Sequence, residues 1–166
     1  MRGGSVKTWW VAWTALALLV AVDQGTKAWV REAVPPHYAA VLIPGLIDLT
    51  HVENPGVSFS FLGTVAAEVR VPLLVTVTLL AVAVLGGYWV RKRHVMDGWM
   101  DAGMVLILSG AIGNLIDRFV QGTVTDFLHF RVGAYSLFVN NAADIFISLG
   151  VASYVVSMYR PRKAGP

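Results

Sequence analysis

The 166-residue chain has no cysteine and little charge: 14% of its residues are Asp, Glu, Lys or Arg, against 56% hydrophobic. Without cysteine there is no disulfide, no thiolate nucleophile and no Cys-ligated zinc, and the redox compartment is left open. So little charge lies far outside ordinary soluble usage and points to a membrane protein. HExxH, phosphate-binding glycine loops and Gly-x-Ser-Gly are also missing, which argues against zinc-hydrolase, nucleotide-binding and rhomboid-type readings. No basic stripe or nucleic-acid motif accompanies the net charge of +3, so no nucleic-acid partner is expected.

What the chain does have is long apolar runs. Crossing ~30 Å of hydrocarbon takes about 20 residues as a helix, and four regions qualify, at about 9–30, 71–90, 99–118 and 141–159. Trp9 to Val22 is too short alone, so the first helix is expected to continue past Asp23 to Val30. Pro72 is expected in the first turn of the second, where a missing N–H is tolerated. Trp9, Trp10, Trp29, Tyr88, Trp89, Trp99 and Tyr159 fall where interfacial anchors are expected. The expectation is a mainly α membrane protein: one integral domain over residues 1–166, with external segments 31–70 and 119–140.

Lys and Arg are enriched in short cytoplasmic segments. With both termini inside, Arg2, Lys7, Arg91, Lys92, Arg93, Arg160, Arg162 and Lys163 are cytoplasmic, eight of the thirteen basic residues, against only Asp97 and Asp101. A cleaved signal peptide over Met1 to Ala28 is the competing reading. The long hydrophobic stretch, the charge after it and the lack of a small-x-small site argue against it.

This topology gathers Asp23, Asp117, Asp126 and Asp144 near the outer face. Acids in or near membrane spans are costly and are functional candidates by default. Gly103, Gly110, Asn114 and Asp117 form an i, i+7, i+11, i+14 stripe, so one face of the third helix is small and polar and should meet the fourth, where Asn141, Asp144 and Ser148 continue the line. The glycines read as packing positions. In the first external segment, the alternation of Ile47 to Val52, the turn Glu53-Asn54-Pro55-Gly56, and Val57, Phe59 and Phe61 predict a hairpin with one apolar face. The second, with Phe127, Leu128, Phe130 and Phe138 around Asp126, predicts a short interfacial element. His129 reads as a surface residue.

Two carboxylates held close share a proton, so one can deprotonate water while the other donates to the carbonyl under attack. Such chemistry needs no metal and no cofactor. Four aspartates give six pairs, and spacing alone does not choose among them.

The segments Asp23-Gln24-x-x-Lys27, Asn54-x-Gly56-x-x-Phe59, Gly110-Ala111-x-Gly113-Asn114-x-x-Asp117-Arg118, Val124-x-Asp126-Phe127 and Asn141-x-Ala143-Asp144 resemble, in order, the motifs of lipoprotein signal peptidases, the type II signal peptidases of bacterial inner membranes. The resemblance spans nearly the whole chain and implies a multi-pass aspartic peptidase of the cytoplasmic membrane, its site facing outward, with the hairpin as a periplasmic cradle. Its substrates would be diacylglyceryl-modified prolipoproteins, cut just before the lipidated cysteine; membrane lipids are the other partners, and a monomer is expected. By the same resemblance Asp126 and Asp144 are the catalytic dyad, while Asn114, Arg118 and Asn141 support the dyad and substrate, Arg118 holding a backbone carbonyl. Asp23, Lys27, Asn54 and Gly56 shape the outer rim, and Asp117 fixes a helix end. The chain departs from the family pattern at Asn140, where Phe is common, and at Pro55 and Val57.

Two rivals differ in chemistry. A serine/lysine peptidase would use Ser58 or Ser60 with Lys27 but would leave the aspartates unexplained. A proton-coupled transporter would want its acids near the bilayer midplane.

Overall fold

A computed structural model describes residues 6–36, 38–56 and 65–160. Among the described residues, four α-helices and four strands follow in the order α1 (Val6–Ala33), β1 (Ala39–Ile43), β2 (Ile47–Asn54), α2 (Ala67–Lys92), α3 (Gly98–Gln121), β3 (Val124–Val132), β4 (Tyr135–Asn140) and α4 (Ala142–Tyr159). Three of the helices, α2, α3 and α4, are long and apolar enough to cross a membrane. α1 carries Asp23, Lys27, Arg31 and Glu32 in its second half and is not among them. The helices mostly overrun the expected spans. Because α2 starts at Ala67, Pro72 lies beyond its first turn, and the proline ring leaves the Glu68 carbonyl without its intrahelical donor.

Local chemistry sets the helix ends around the site. Asp97 caps α3 by accepting from the backbone N–H groups of Trp99 and Met100, both at 2.9 Å. At the other end Gly122 takes φ 77°, and its N–H closes on the Arg118 carbonyl at 3.1 Å. Asn141 and Asp144 form a reciprocal capping box that starts α4 at Ala142.

α3 and α4 meet backbone to backbone. A Cβ on Gly103 would lie 2.8 Å from the Gly150 carbonyl oxygen, one on Gly150 would lie 2.7 Å from that of Gly103, and one on Gly110 would fall on the Ala143 carbonyl oxygen. These glycines are therefore packing positions. α1 and α2 close the bundle through Ala12, Leu16, Trp89, Met104, Val105 and Leu108. Trp89 is the one buried residue of α2; Val82 and Leu85 pack partly buried against the same core, while Leu80 and Val84 are exposed.

The strands form one antiparallel sheet in the order β1-β2-β3-β4. Two expectations concern the strands. Ile47 to Asn54 is a strand, but its described partners are β1 and β3, and the second arm of the expected hairpin, Val57, Phe59 and Phe61, lies outside the described residues. The segment 119–140, expected to hold a short interfacial element, contains the β3–β4 hairpin, with Phe130 opposite Phe138. The turns at Gly45 and Gly133, with φ 75° and 58°, are themselves joined, Arg131 N donating to Leu46 O and Gly133 N to Gly45 O. Asn140, the departure from the family pattern, is paired with Leu128 in the ladder. Val30, Val34 and Phe127 dock the sheet on the C-terminal end of α1.

Candidate active site

The C-terminal ends of α1 and α3, the start of α4, and strands β2 and β3 converge on two carboxyl groups, Asp126 and Asp144. Asp126 is 3% exposed, on β3 beside Asn54 of β2. Asp144 is half-buried in the first turn of α4. Asn141 ties them together: its side-chain Nδ2 donates to Asp126 Oδ1 at 2.6 Å, its Oδ1 accepts from the Asp144 N–H at 3.1 Å, and its own N–H donates to Asp144 Oδ2 at 3.3 Å.

Three asparagine amides face these carboxyls, and obligate donors fix the orientation of each. Lys27 Nζ can only donate, and its 2.9 Å bond to Asn114 Oδ1 turns Asn114 Nδ2 toward Asp144 Oδ1, at 2.8 Å. The Gly56 N–H holds Asn54 Oδ1 at 2.9 Å, which turns Asn54 Nδ2 to Asp126 Oδ2 at 2.8 Å. The Asp144 N–H does the same for Asn141. Gly56 is needed at its place, since φ is 82° and a Cβ would run into Leu74.

Burial pushes the Asp126 carboxyl up to about 6. The amides of Asn54 and Asn141 pull it down, the neighbouring Asp144 pushes it up, and Lys27 lowers it. Asp126 therefore keeps its proton to a higher pH than an ordinary carboxyl does, the state from which it can donate.

Asp23 and Lys27, expected at the outer rim, are fully buried instead. An ammonium within a helical bundle needs partners for every proton, and Lys27 has three: Asp23 at 2.9 Å, Asp117 at 2.8 Å and Asn114. Asp23 also accepts from the Ala143 N–H at 2.9 Å, which ties α1 to the first turn of α4. Gly113 leaves the space that the Asp23 carboxylate fills. Gln24 bridges Asp23, Asp117 and the Gly113 carbonyl. Of the expected α3 stripe, Gly103, Gly110 and Asn114 meet α4, but Asp117 faces α1, because 3.6 residues per turn carries it round the helix. With its protons committed, Lys27 is poorly placed to activate a serine, and Ser58 and Ser60 lie outside the described residues.

Arg118 donates to the Asn114 carbonyl of its own helix at 3.2 Å, and its Nε is buried without a hydrogen-bond partner. His129 bonds Ser136 at 2.8 Å and takes no part at Asp126. Sequence reasoning passed over Arg31, His51, Glu53 and Thr125, which form a polar chain on the other face of β3. Its trace was the neighbouring pairs Glu53-Asn54 and Thr125-Asp126, whose members must point to opposite faces of a sheet.

The sequence profile of Signal peptidase (SPase) II matches residues 15–160. The lipoprotein signal peptidase of Gloeobacter violaceus is 37% identical over 98% of this chain and 88% of that protein. That of Thermosynechococcus vestitus is 38% identical over 93% and 92%, and that of Streptococcus pneumoniae 33% over 86% and 88%. A solved structure of a bacterial membrane enzyme superimposes with a TM-score of 0.80 at 21% identity, covering 92% of this chain and 94% of the other.

Proposed function

Because the chain belongs to the signal peptidase II family, a family of proteases, we propose that Asp126 and Asp144 are its catalytic dyad and remove the signal peptide from diacylglyceryl-modified prolipoproteins just before the lipidated cysteine. The observation that carries this reading is the Asn141 bridge, which holds two carboxyl groups of different elements at one place while three fixed amides point at them.

The chemistry follows from the proton count. Asp144, in the first turn of α4, takes a proton from water as the water oxygen attacks the scissile carbonyl carbon. Asp126 gives its proton to the carbonyl oxygen, forming a neutral gem-diol. Collapse returns a hydroxyl proton to Asp126 and passes the proton on Asp144 to the leaving cysteine nitrogen. A carboxylic acid on the signal peptide and an amine on the lipidated cysteine result, and the dyad again holds one proton. Arg118, with donors beyond its helix contact, would hold a substrate backbone carbonyl.

The site would lie at the outer boundary of the membrane, with α1 as a fourth span. Supporting this, the charged side chains of Asp23 and Lys27 are sealed between helices, while Trp10, Val11, Leu18 and Val22 are exposed. The basic residues at the opposite end favour cytoplasmic termini. The chain would then be a single integral domain of a bacterial cytoplasmic membrane, acting as a monomer, with the sheet as the cradle over an extended peptide.

The test is purified protein incubated with a diacylglyceryl-modified prolipopeptide and its unlipidated twin. Mass spectrometry should find one cut, immediately before the modified cysteine, in the lipidated peptide alone. Equal cleavage of the twin would contradict the substrate assignment.

A further inference from the structure

Strand β3 carries Asp126 at a place where its pairing is interrupted. Leu49 is opposite Leu128 and Val52 is opposite Asp126, so β2 advances three residues while β3 advances two. Thr50 and His51 together face Phe127, a bulge that weakens the ladder beside the carboxyl group. Backbone pairing alone therefore holds Asp126 less firmly than a regular strand would.

Side chains on the opposite face make up the difference. Thr125, the residue before Asp126, is fully buried and points away from the dyad. Its Oγ1 accepts from Arg31 Nη1 at 3.0 Å and donates to Glu53 Oε1 at 2.9 Å. Guanidinium only donates and carboxylate only accepts, so the hydroxyl has one orientation. Glu53 also accepts from Thr123 at 2.6 Å and touches His51 Nε2 at 3.1 Å. His51, itself in the bulge, reaches the Val34 carbonyl with Nδ1 at 2.7 Å. The chain thus runs from α1 through both strands and back to the end of α1, and Arg31 lies 3.9 Å from the buried Asp117 of α3.

We infer that Arg31, Thr125, Glu53 and His51 form a positioning clamp for Asp126, fixing β3 across the bulge so that its carboxyl stays aligned with Asp144 and the attacked carbonyl. None of the four touches substrate; they act through the backbone of β3. A cavity of about 600 Å³ lined by Arg31, His51, Glu53, Gln121 and Thr123 opens on the clamp, so Glu53 is reached by solvent although Thr125 is not. Its carboxyl stays charged. Burial pushes it up, but the bonds from Thr123, His51 and Thr125 outweigh that and leave it below the ordinary carboxylate value.

The inference rests on the dyad reading, and its test keeps the two apart. Turnover of the diacylglyceryl-modified prolipopeptide is measured for the full chain in micelles, with Thr125→Val, Thr125→Ser, Glu53→Gln, the Thr125→Val/Glu53→Gln double variant and Asp126→Asn. Displacing a catalytic group by ~1 Å costs up to about a hundredfold, so Thr125→Val and Glu53→Gln should each lower kcat about tenfold or more per folded molecule, with KM within about twofold. Thr125→Ser should keep wild-type kcat, and the double variant should fall no further than the worse single one. Wild-type kcat in Thr125→Val, or in Glu53→Gln should Thr125→Val not fold, overturns the clamp. So does a loss that Thr125→Ser shares and that follows only the amount of folded protein. If Asp126→Asn still cleaves, the dyad itself is wrong; if Asp126→Asn is inactive while the clamp variants are normal, only the clamp fails.

Discussion

Replacing Asp126 by Asn should change how stability depends on pH by an amount the structure sets. In the folded protein burial raises this carboxyl from its ordinary 3.8 to about 6. Below 3.8 it is neutral whether folded or unfolded, and nothing is lost. Between the two values the folded state binds the proton and the unfolded state does not, so stability falls as pH rises, and above about 6 the full cost of a buried charge is present. At about 1.4 kcal/mol per pH unit, this comes to about 3 kcal/mol. The amide of the variant does not titrate. Its NH2 group must face the NH2 of Asn54 or Asn141, which costs roughly 1–3 kcal/mol at every pH. The two effects separate, because only the first varies with pH. Equilibrium unfolding of both proteins by SDS in mixed micelles at about pH 3 and about pH 8 should show the variant gaining about 3 kcal/mol on the wild type across that interval. Parallel stability curves, or a wild type that gains on the variant as pH rises, would refute the burial of a proton-binding carboxyl at this position.

Lys27→Met removes the partner of Asp23 and Asp117 and should cost roughly 3–5 kcal/mol in the same unfolding assay, with Asp23→Asn recovering part of the loss; a variant as stable as wild type would show that the three groups are not a buried ion cluster. Gly110→Ala should destabilise by about 1–3 kcal/mol or more, because the added methyl falls on the Ala143 carbonyl and on Ile147. Gly25→Ala, with open space around it in a helix, should be neutral or stabilising by up to about 1 kcal/mol. Equal melting temperatures for the two variants would contradict the close α3–α4 contact.

Much of the frame was legible because membrane crossing imposes simple demands on a sequence. Helix existence follows from apolar length, and the meeting of α3 with α4 follows from the spacing of Gly103, Gly110 and Asn114. Asn141 and Asp144, three apart at the start of an apolar run, carry the signature of a capping box. The proximity of Asp126 to Asp144 was reached only through the family resemblance, because one lies on a strand and the other on a helix and no periodicity links them. Asp23 and Lys27 were misplaced at the rim for a related reason: charges at a helix end look solvated until the partner helix that neutralises them is known. The alternation of Ile47 to Val52 says that a strand exists but not which described strands pair with it. β1 lies a few residues upstream, and β3 is separated from β2 by two helices. The bulge at Thr50 and His51, and the clamp behind it, depend on the register between those distant strands.

The central claim is that Asp126 and Asp144 act as one proton-sharing unit in peptide hydrolysis. Single-turnover cleavage of the diacylglyceryl-modified prolipopeptide by wild type, Asp126→Asn and Asp144→Asn, each shown to be folded, tests it most directly. Both variants should be inactive while retaining bound substrate. Ordinary turnover by either one would contradict the account.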